Sequence, residues 1–229
     1  MRKKVKFRFS DISSRRHRKM NGPIICIGRQ YGSGGREIGE KLAKKLGIVC
    51  YDKLLIQKAA KEAGLAQSIV SEEDEKPFGL CELISGNPFA DSISLSEAFY
   101  SQKETVFEAE AKTILELAKK GPCVIIGRCA SSILREAGYP VLSVFIYADD
   151  DARAKRIAAR NGIDEKAAAH EAKKRDRMRK AYFDFYADTP WGDARSYDLM
   201  ISSSRFGIDS TVDLLAKTAR EMSEKGTEK

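Results

Sequence analysis

Short apolar runs alternate with stretches of helical periodicity through most of the chain, and this alternation predicts the fold. Residues 23–28 form an apolar run rich in β-branched side chains and bounded by Pro and Gly, as expected for a buried parallel strand. After a glycine-rich turn, apolar residues recur at helical spacing over 38–46, and Gly47 ends this helix. The opening therefore predicts a strand, a glycine loop and a helix.

The same alternation continues to residue 222. Further strands are predicted at 48–51, 122–127, 141–147 and 197–201. Further helices are predicted at 53–63, 96–119, 131–137, 150–160, 164–186 and 209–222. Strands that alternate with helices imply right-handed crossovers and a parallel sheet covered on both faces. The prediction is an α/β fold of three layers, with a five-stranded parallel sheet at the centre.

Two segments depart from this pattern. Residues 1–20 are strongly basic and carry no apolar side chain over 13–19, which predicts a disordered extension. Residues 65–100 are acidic and then interrupted by prolines and glycines, yet they carry enough apolar residues to form a locally helical insert. The remainder of 21–229 is expected to form one domain.

The net charge of +8 suggests a phosphate or nucleic-acid partner until it is divided along the chain. Nine of the 41 Lys and Arg residues and one of the 33 Asp and Glu residues lie within 1–20, so residues 21–229 are formally neutral. The basic character belongs to the extension, which is either a solvated tail or a nucleic-acid arm. Nucleic acid is not expected to bind elsewhere.

Several classes of protein are excluded by composition. No apolar stretch is long enough to cross a membrane, and the N-terminus lacks the apolar core of a secretory signal. The five cysteines, Cys26, Cys50, Cys81, Cys123 and Cys129, form no Cys-x-x-Cys pair, and two histidines leave little for a zinc site. Buried free thiols in a reducing cytoplasm are the favoured interpretation.

The strongest motif occupies residues 28–39 and reads Gly-Arg-Gln-Tyr-Gly-Ser-Gly-Gly-Arg-Glu-Ile-Gly. Glycines between a buried strand and a helix let backbone N–H groups converge, and the helix N-terminus adds partial positive charge. The alternative is a tight connection without a ligand. The density of glycines and the flanking arginines favour phosphate binding.

This motif departs from a Walker A sequence. Gly35 stands where the Lys that reaches the β- and γ-phosphates is expected, and Arg36 and Glu37 stand where the Mg²⁺-binding hydroxyl is expected. Arg36, or Arg29 at the strand end, is the candidate for the missing cation, because Arg grips phosphate bidentately. Glu37 is a candidate for a metal contact.

Four motifs together make residues 23–220 resemble the cytidylate-kinase-like proteins, a branch of the P-loop nucleoside monophosphate kinases. They are Ile-Gly-Arg-Gln-Tyr-Gly-Ser-Gly-Gly-Arg-Glu-Ile-Gly at 27–39, Tyr-Asp-Lys at 51–53, Val-Ile-Ile-Gly-Arg-Cys-Ala at 124–130 and Tyr-Asp-Leu at 197–199. The resemblance implies a P-loop fold, ATP or another NTP with Mg²⁺ as cofactors, and a nucleotide substrate. It also implies that 65–100 is the acceptor-side insert and that 150–190 holds the lid and its flanking helices.

The resemblance also assigns residues. The glycine motif already offers Arg29, Gly32, Ser33, Gly34, Gly35, Arg36 and Glu37 to cradle the donor phosphates, and the resemblance adds Arg156, which would approach them. The lid would contribute Arg160, Asp176 and Arg179. The acceptor would be held by Asp52, Lys53, Lys58 and Arg128. The family's Asp-Gly-Arg-Asp at the third strand appears here as Ile126-Gly127-Arg128-Cys129, so both carboxylates are lost and the metal ligands stay unassigned.

Phosphoryl transfer needs positioning and cations rather than a covalent nucleophile, because the transition state spreads negative charge over oxygens. Arg156 and Arg160 share a helix face, as do Arg175 and Arg179, and two such helices could close over phosphates. A solvated charged face is the alternative for any one of these arginines. The aromatic residues at 182–186 are interpreted as core packing rather than a base-stacking surface.

The sequence therefore predicts an ATP-dependent phosphotransferase acting on a CMP-like nucleoside monophosphate or a related small phosphorylated acceptor. The alternative is a nucleotide-binding module without turnover, because the Walker Lys, the Ser/Thr hydroxyl and the third-strand Asp are missing. The oligomeric state is not predicted.

Overall fold

The strands form one parallel sheet in the residues that the computed structural model describes, which are 22–63 and 92–227, with side chains described over 22–63 and 105–223. The strands are β1 (Ile24–Arg29), β2 (Val49–Tyr51), β3 (Cys123–Ile126), β4 (Val141–Tyr147) and β5 (Leu199–Ser202). Their order is β2-β3-β1-β4-β5, and every neighbouring pair is parallel. The predicted five-stranded parallel sheet is confirmed.

Helices connect the strands. They are α1 (Gly35–Leu46), α2 (Lys53–Glu62), α3 (Ser92–Lys119), α4 (Ala130–Glu136), α5 (Asp150–Asn161), α6 (Glu165–Tyr186), α7 (Ser203–Phe206) and α8 (Ile208–Thr227), with a 3₁₀ turn at Ala194–Ser196. The extension at 1–20 and most of the insert at 65–100 lie outside the described residues, so both stay predictions. None of the described helices is long and apolar enough to cross a membrane.

The central strand β1 divides the core into two halves, because its successive side chains point to opposite faces. Ile24 and Cys26 pack with apolar residues of α3 and α4. Ile25 and Ile27 pack with apolar residues of α1 and α8. The apolar run of the sequence therefore has its origin in a strand that is covered on both faces, which is the three-layer arrangement predicted.

Strand order places a crevice at the carboxyl end of β1. Strands β2 and β3 lie on one side of β1, whereas β4 and β5 lie on the other. Loops that leave adjacent strands in opposite directions open a cleft at such a switch point, where α/β sheets bind their ligands. The glycine loop, which follows β1, lies at this position.

Three local predictions differ from the structure. Residues 202–208 lie between the last predicted strand and the last predicted helix, but the structure has a short helix there at Ser203–Phe206, a turn too short to carry helical periodicity. The last strand is Leu199–Ser202, and Tyr197 before it packs its ring against Phe145 and Phe183 instead. Core packing holds for Tyr182 and Tyr186, but Phe185 is exposed, because only one side of α6 faces the core.

The described cysteines are free thiols, as predicted. Cys26, Cys123 and Cys129 are buried and Cys50 is half-buried, whereas Cys81 lies outside the described residues. Burial raises the pKa of Cys50 to about 11 and that of Cys123 to about 12. It raises the pKa of Cys26 and Cys129 further, so all four thiols are neutral near pH 7.

Candidate active site

The loop between β1 and α1 has the compact shape expected of a phosphate loop. Gly32 and Gly34 have φ angles of +80° and +78°, which disfavour any residue with a Cβ. Ser33 between them is fully buried, and its hydroxyl donates a hydrogen bond to the Gln30 carbonyl at 2.8 Å. The Ser33 carbonyl accepts a hydrogen bond from the Ser203 hydroxyl at 2.6 Å. The side chain of Ser33 therefore fixes the shape of the loop.

The N-terminus of α1 supplies the polar groups of this loop. The helix starts at Gly35, and its N-cap, Gly34, provides no side-chain hydrogen bond. The first N–H groups of a helix have no acceptor within the helix, and the helix dipole makes this end partially positive. The loop therefore offers an anion site made of backbone rather than of side chains.

Arg36 and Glu37 both have protein partners. Arg36 contacts Glu40 and Asp52, each at 2.9 Å, and its hydrogen bond with Glu40 raises the pKa of Arg36. The carboxylate oxygen Oε1 of Glu37 lies 3.1 Å from Nζ of Lys41. Their predicted roles toward a phosphate and a metal stay predictions, and in this structure the side chain of Arg36 is directed to two carboxylates.

Helix α5 brings two arginines to the loop. Arg156 donates a hydrogen bond from Nη1 to the Gly32 carbonyl at 2.5 Å. Arg153 is buried and donates from Nε to the Tyr31 carbonyl at 2.8 Å. A Cβ on Gly34 would lie 3.6 Å from the Arg156 guanidinium carbon, so this cation is adjacent to the turn. The structure therefore places Arg156 in direct contact with the phosphate loop, which the spacing of the sequence alone could not establish.

Helix α6 contacts the same loop through Asp176 and Arg179. Asp176 accepts a hydrogen bond from the Tyr31 N–H at 2.7 Å and also pairs with Arg153. Burial raises the pKa of Asp176, although the Tyr31 N–H and the neighbouring guanidinium groups oppose that shift. Arg179 donates from Nη1 to the Arg29 carbonyl at 3.2 Å. The predicted lid residues thus lie together against the loop, with Asp176 tying α6 to it.

A cavity of about 70 Å³ opens beside the loop, between the ends of β1 and β3 and one side of α6. Four cationic residues line it: Arg29, Lys53, Arg128 and Arg179. Sites that enclose a whole small ligand measure roughly 300–1,000 Å³. The enclosed part therefore suits a phosphate group, and a nucleoside would extend beyond it.

Two predicted acceptor residues lie elsewhere. Lys58 is exposed on α2, with its ammonium group 3.8 Å from Glu62. Asp52 caps α2 by accepting a hydrogen bond from the Leu55 N–H at 3.0 Å, and it also pairs with Arg36. Of the four predicted acceptor residues, the structure brings Lys53 and Arg128 to the cavity.

Arg128 lies in a strained turn after β3. Gly127, Arg128 and Cys129 have φ angles of +80°, +56° and +53°. A non-glycine residue in this left-handed region costs about 1–2 kcal/mol. Such strain gathers at functional sites, where the surrounding structure holds it in place. Here the turn carries Arg128 into the wall of the cavity.

Glu110 of α3 is the functional candidate that sequence reasoning missed. Its side chain is 1% exposed, with one carboxylate oxygen 3.3 Å from Arg128 Nε and the other accepting a hydrogen bond from the Tyr182 hydroxyl at 3.0 Å. The Arg128 guanidinium lies 5.2 Å from the centre of the Tyr182 ring. The available signal was helical spacing, because Phe107, Ile114 and Leu117 lie three, four and seven residues from Glu110 and place it on the apolar face of α3.

The ligands of a Mg²⁺ ion stay unassigned in the described residues. No cluster of three His, Cys, Asp or Glu within 22–63 and 92–227 has the geometry to hold a metal. Cys129 stands in place of one of the two carboxylates that the family resemblance leads us to expect, and burial raises the pKa of its thiol. This neutral thiol does not have the character of a magnesium ligand.

Comparison with known proteins agrees with this architecture. The family model described as "Cytidylate kinase-like family" matches residues 24–205. A cytidylate kinase of Methanococcus vannielii is 28% identical over 170 residues, covering 69% of this chain and 95% of that protein. One of Methanocaldococcus jannaschii is 25% identical over 196 residues, covering 84% and 95%.

A solved structure is similar over its whole length. An uncharacterized protein of Eubacterium ventriosum is 31% identical, with a TM-score of 0.64, and the match covers 86% of this chain and 98% of that one. The comparisons support a kinase and give no support to a nucleotide-binding module without turnover. Because the family model matches residues 24–205, which include the glycine loop, the turn after β3 and helices α5 and α6, the chain belongs to the cytidylate kinase-like family.

Proposed function

We propose that the protein is an ATP-dependent kinase that transfers the γ-phosphoryl group to a nucleoside monophosphate, with CMP as the first candidate acceptor. The observation that carries the proposal is the presence of two adjoining anion sites. One is the phosphate loop with Arg156 on its Gly32 carbonyl, and the other is the cavity with Arg128 in its wall. A kinase for a phosphorylated acceptor needs one site for each substrate's phosphates.

The reaction is a single displacement at phosphorus. An oxygen of the acceptor phosphate forms a bond to the γ-phosphorus of ATP, the bond from that phosphorus to the bridging oxygen breaks, and ADP leaves. Negative charge spreads over the transferred group in the transition state, so fixed cations and exact alignment of the two substrates supply the catalysis.

On the donor side, the N–H groups at the start of α1 would bind the phosphates, with Arg156, Arg160 and Arg179 completing their surroundings from the lid. These three arginines lie at or next to the loop in the structure. Helices α5 and α6 would also exclude water from the reacting phosphates.

On the acceptor side, Arg128 and Lys53 would hold the monophosphate, with Arg29 between the two sites. Arg29 lines the cavity while its Cβ lies 2.6 Å from the position of a Cβ on Gly35, at the start of α1. CMP is proposed because the similar archaeal proteins are named cytidylate kinases. Mg²⁺ is expected to accompany ATP, and no step above depends on a protein ligand for it.

An assay of ADP formation with Mg²⁺–ATP and separate acceptors (CMP, UMP, dCMP, AMP and GMP) tests the proposal. We expect ADP formation that depends on the acceptor and is fastest with CMP. Arg128→Gln should raise the KM for the acceptor at least about tenfold, since a charge-assisted hydrogen bond is worth about 1.5–3 kcal/mol. Its KM for ATP should stay within twofold of the parent value.

The matched control is Arg177→Gln, which removes an exposed arginine from α6. We expect it to leave both KM values unchanged. If ATP binds but none of the five acceptors increases ADP formation, the kinase proposal is wrong.

A further inference from the structure

Tyr31, in the middle of the phosphate loop, contacts three lid arginines through one aromatic ring. The guanidinium carbons of Arg160, Arg175 and Arg179 lie 5.0, 5.3 and 5.3 Å from the ring centre. Cation–π attraction operates within about 6 Å of a ring centre, so all three distances fall in its range. One side chain of the loop thus gathers cations from both lid helices.

The hydroxyl and backbone of Tyr31 add to this grouping. Its hydroxyl accepts a hydrogen bond from Arg160 Nη2 at 2.5 Å and donates one to Glu171 Oε1 at 3.1 Å. Its N–H is held by Asp176 and its carbonyl by Arg153. Tyr31 is therefore fixed at both ends, as a side chain that positions others must be.

The Tyr31 ring can hold several guanidinium groups together without neutralising them. Three guanidinium groups repel one another, and carboxylates that neutralised them fully would also weaken their attraction for phosphate. An aromatic ring attracts each cation through its quadrupole without removing the positive charge. Arg175 also lies 3.4 Å from Glu171, and Arg179 lies 3.9 Å from Asp176, so carboxylates balance part of this charge. The ring at the centre of the cluster can hold the cations together without a further carboxylate that would weaken their attraction for an anionic ligand.

The loop itself lacks the cation that a Walker lysine would supply. Gly35 occupies the place of the Walker lysine, and Arg36 is directed to Glu40 and Asp52. In the described part of the chain, the cations next to the loop are Arg29 at the end of β1 and arginines of α5 and α6, and Tyr31 is the loop residue that most of them contact.

We propose that Tyr31 is a positioning residue for the donor triphosphate: its ring and hydroxyl hold Arg160, Arg175 and Arg179 at the phosphate loop, where they replace the missing lysine. The inference rests on the proposed function in one respect only, that the ligand of the loop is a nucleoside triphosphate. It is tested by binding rather than by turnover, so the two proposals can fail separately.

Isothermal titration of the full chain with ATP, and separately with CMP, measures the effect. Tyr31→Phe keeps the ring and loses the bonds to Arg160 and Glu171, so we expect its Kd for ATP to rise about threefold to tenfold. Tyr31→Leu loses the ring as well, and we expect a rise of more than about tenfold. The Kd for CMP should stay within twofold in both variants.

A double-mutant cycle separates positioning from a structural role. Tyr31→Phe, Arg160→Gln and the double variant should be non-additive toward ATP, because the hydroxyl acts through that arginine. Tyr139→Phe is the matched control, since Tyr139 precedes β4 at the opposite end of the sheet, and it should leave the Kd for ATP unchanged.

Two results would overturn the inference: an ATP Kd within twofold of the parent value in both Tyr31 variants, or additive effects in the cycle. The cycle uses mild substitutions, so it decides the question even if Tyr31→Leu fails to fold. A parent protein that binds ATP but forms no ADP with any acceptor would refute the proposed kinase alone. A parent protein that binds no ATP would refute both.

Discussion

Replacing Glu110 by Gln tests whether the buried Glu110–Arg128 pair supports the proposed acceptor site. Glu110 is 1% exposed and the side chain of Arg128 is 7% exposed, with 3.3 Å between the carboxylate and Nε. Removing one partner of a buried ion pair leaves the other charge uncompensated and costs about 3–5 kcal/mol. Gln keeps the shape and one acceptor oxygen, so we expect the lower limit, about 3 kcal/mol.

Thermal unfolding followed by circular dichroism measures this cost. A loss of 1 kcal/mol lowers the Tm of a chain of this length by about 2–4 °C, so Glu110→Gln should lower it by about 6–12 °C. Glu116→Gln is the matched control, because Glu116 lies on the same helix and forms an exposed pair with Lys119. An exposed pair is worth about 1 kcal/mol or less, so the control should lower the Tm by less than about 4 °C.

A compensated double variant separates stability from binding. Replacing both partners of a buried pair by apolar residues is often neutral, so Glu110→Leu with Arg128→Met should recover much of the lost Tm. The same protein should bind CMP at least about tenfold more weakly, because Arg128, one of the four cations that line the cavity, is gone. A Tm for Glu110→Gln within 2 °C of the parent value would refute the reasoning.

Two further predictions concern the loop and the thiols. Gly32→Ala should lower the free energy of unfolding in urea more than Gly47→Ala. Both glycines have positive φ angles, so an Ala costs about 1–2 kcal/mol of backbone strain at either position. A Cβ on Gly32 would also lie 2.7 Å from Ile157 and 3.0 Å from the Arg153 carbonyl, whereas a Cβ on Gly47 meets no atom within 4 Å. Equal losses would show that the loop does not pack tightly on α5. Cys50 and Cys123, with pKa values of about 11 and 12, should react with iodoacetamide at pH 8 at least about a hundredfold more slowly in the native protein than in urea, because the thiolate is the nucleophile. Peptide mass spectrometry reads each site separately, and alkylation of Cys123 at its unfolded rate would contradict the predicted burial.

Periodicity predicted the architecture because burial acts on every residue of an element. Strand β4 was predicted with its observed limits, Val141–Tyr147, since six of its seven residues are buried between the two helical layers. Helix α7 was missed because four residues hold barely one turn, and its contacts are to residues far away in the sequence, such as Ser33. Hydrophobic periodicity predicts helices of several turns, and α7 is too short to show such a pattern.

The candidate site was predictable in its backbone and much less so in its side chains. Glycines at 32 and 34 indicate a phosphate loop because the turn needs positive φ angles there. Long arginine side chains reach several ångströms, so spacing alone could not show that Arg36 pairs with Asp52. The contact between Arg156 and the loop depends on the packing of α5, 124 residues further along the chain.

Buried pairs between distant elements lay beyond the sequence for a related reason. Glu110 and Arg128 are 18 residues apart and belong to a helix and to the turn after a strand, so no helical or strand periodicity relates them. Their contact follows from the packing of α3 on the sheet. Tyr31 stood inside the strongest motif, yet its role as a centre of cation contacts needed the positions of both lid helices.

The most direct test of the central claim is to follow the γ-phosphoryl group itself. The full chain is incubated with γ-³²P-labelled ATP, Mg²⁺ and CMP, and the nucleotides are separated by chromatography. The proposed two-site kinase predicts label in CDP, formed in equal amount with ADP and sharply reduced in Arg128→Gln. The kinase proposal would be contradicted if the label stayed in ATP or appeared only as inorganic phosphate, both with CMP and when each of the other monophosphates replaces it.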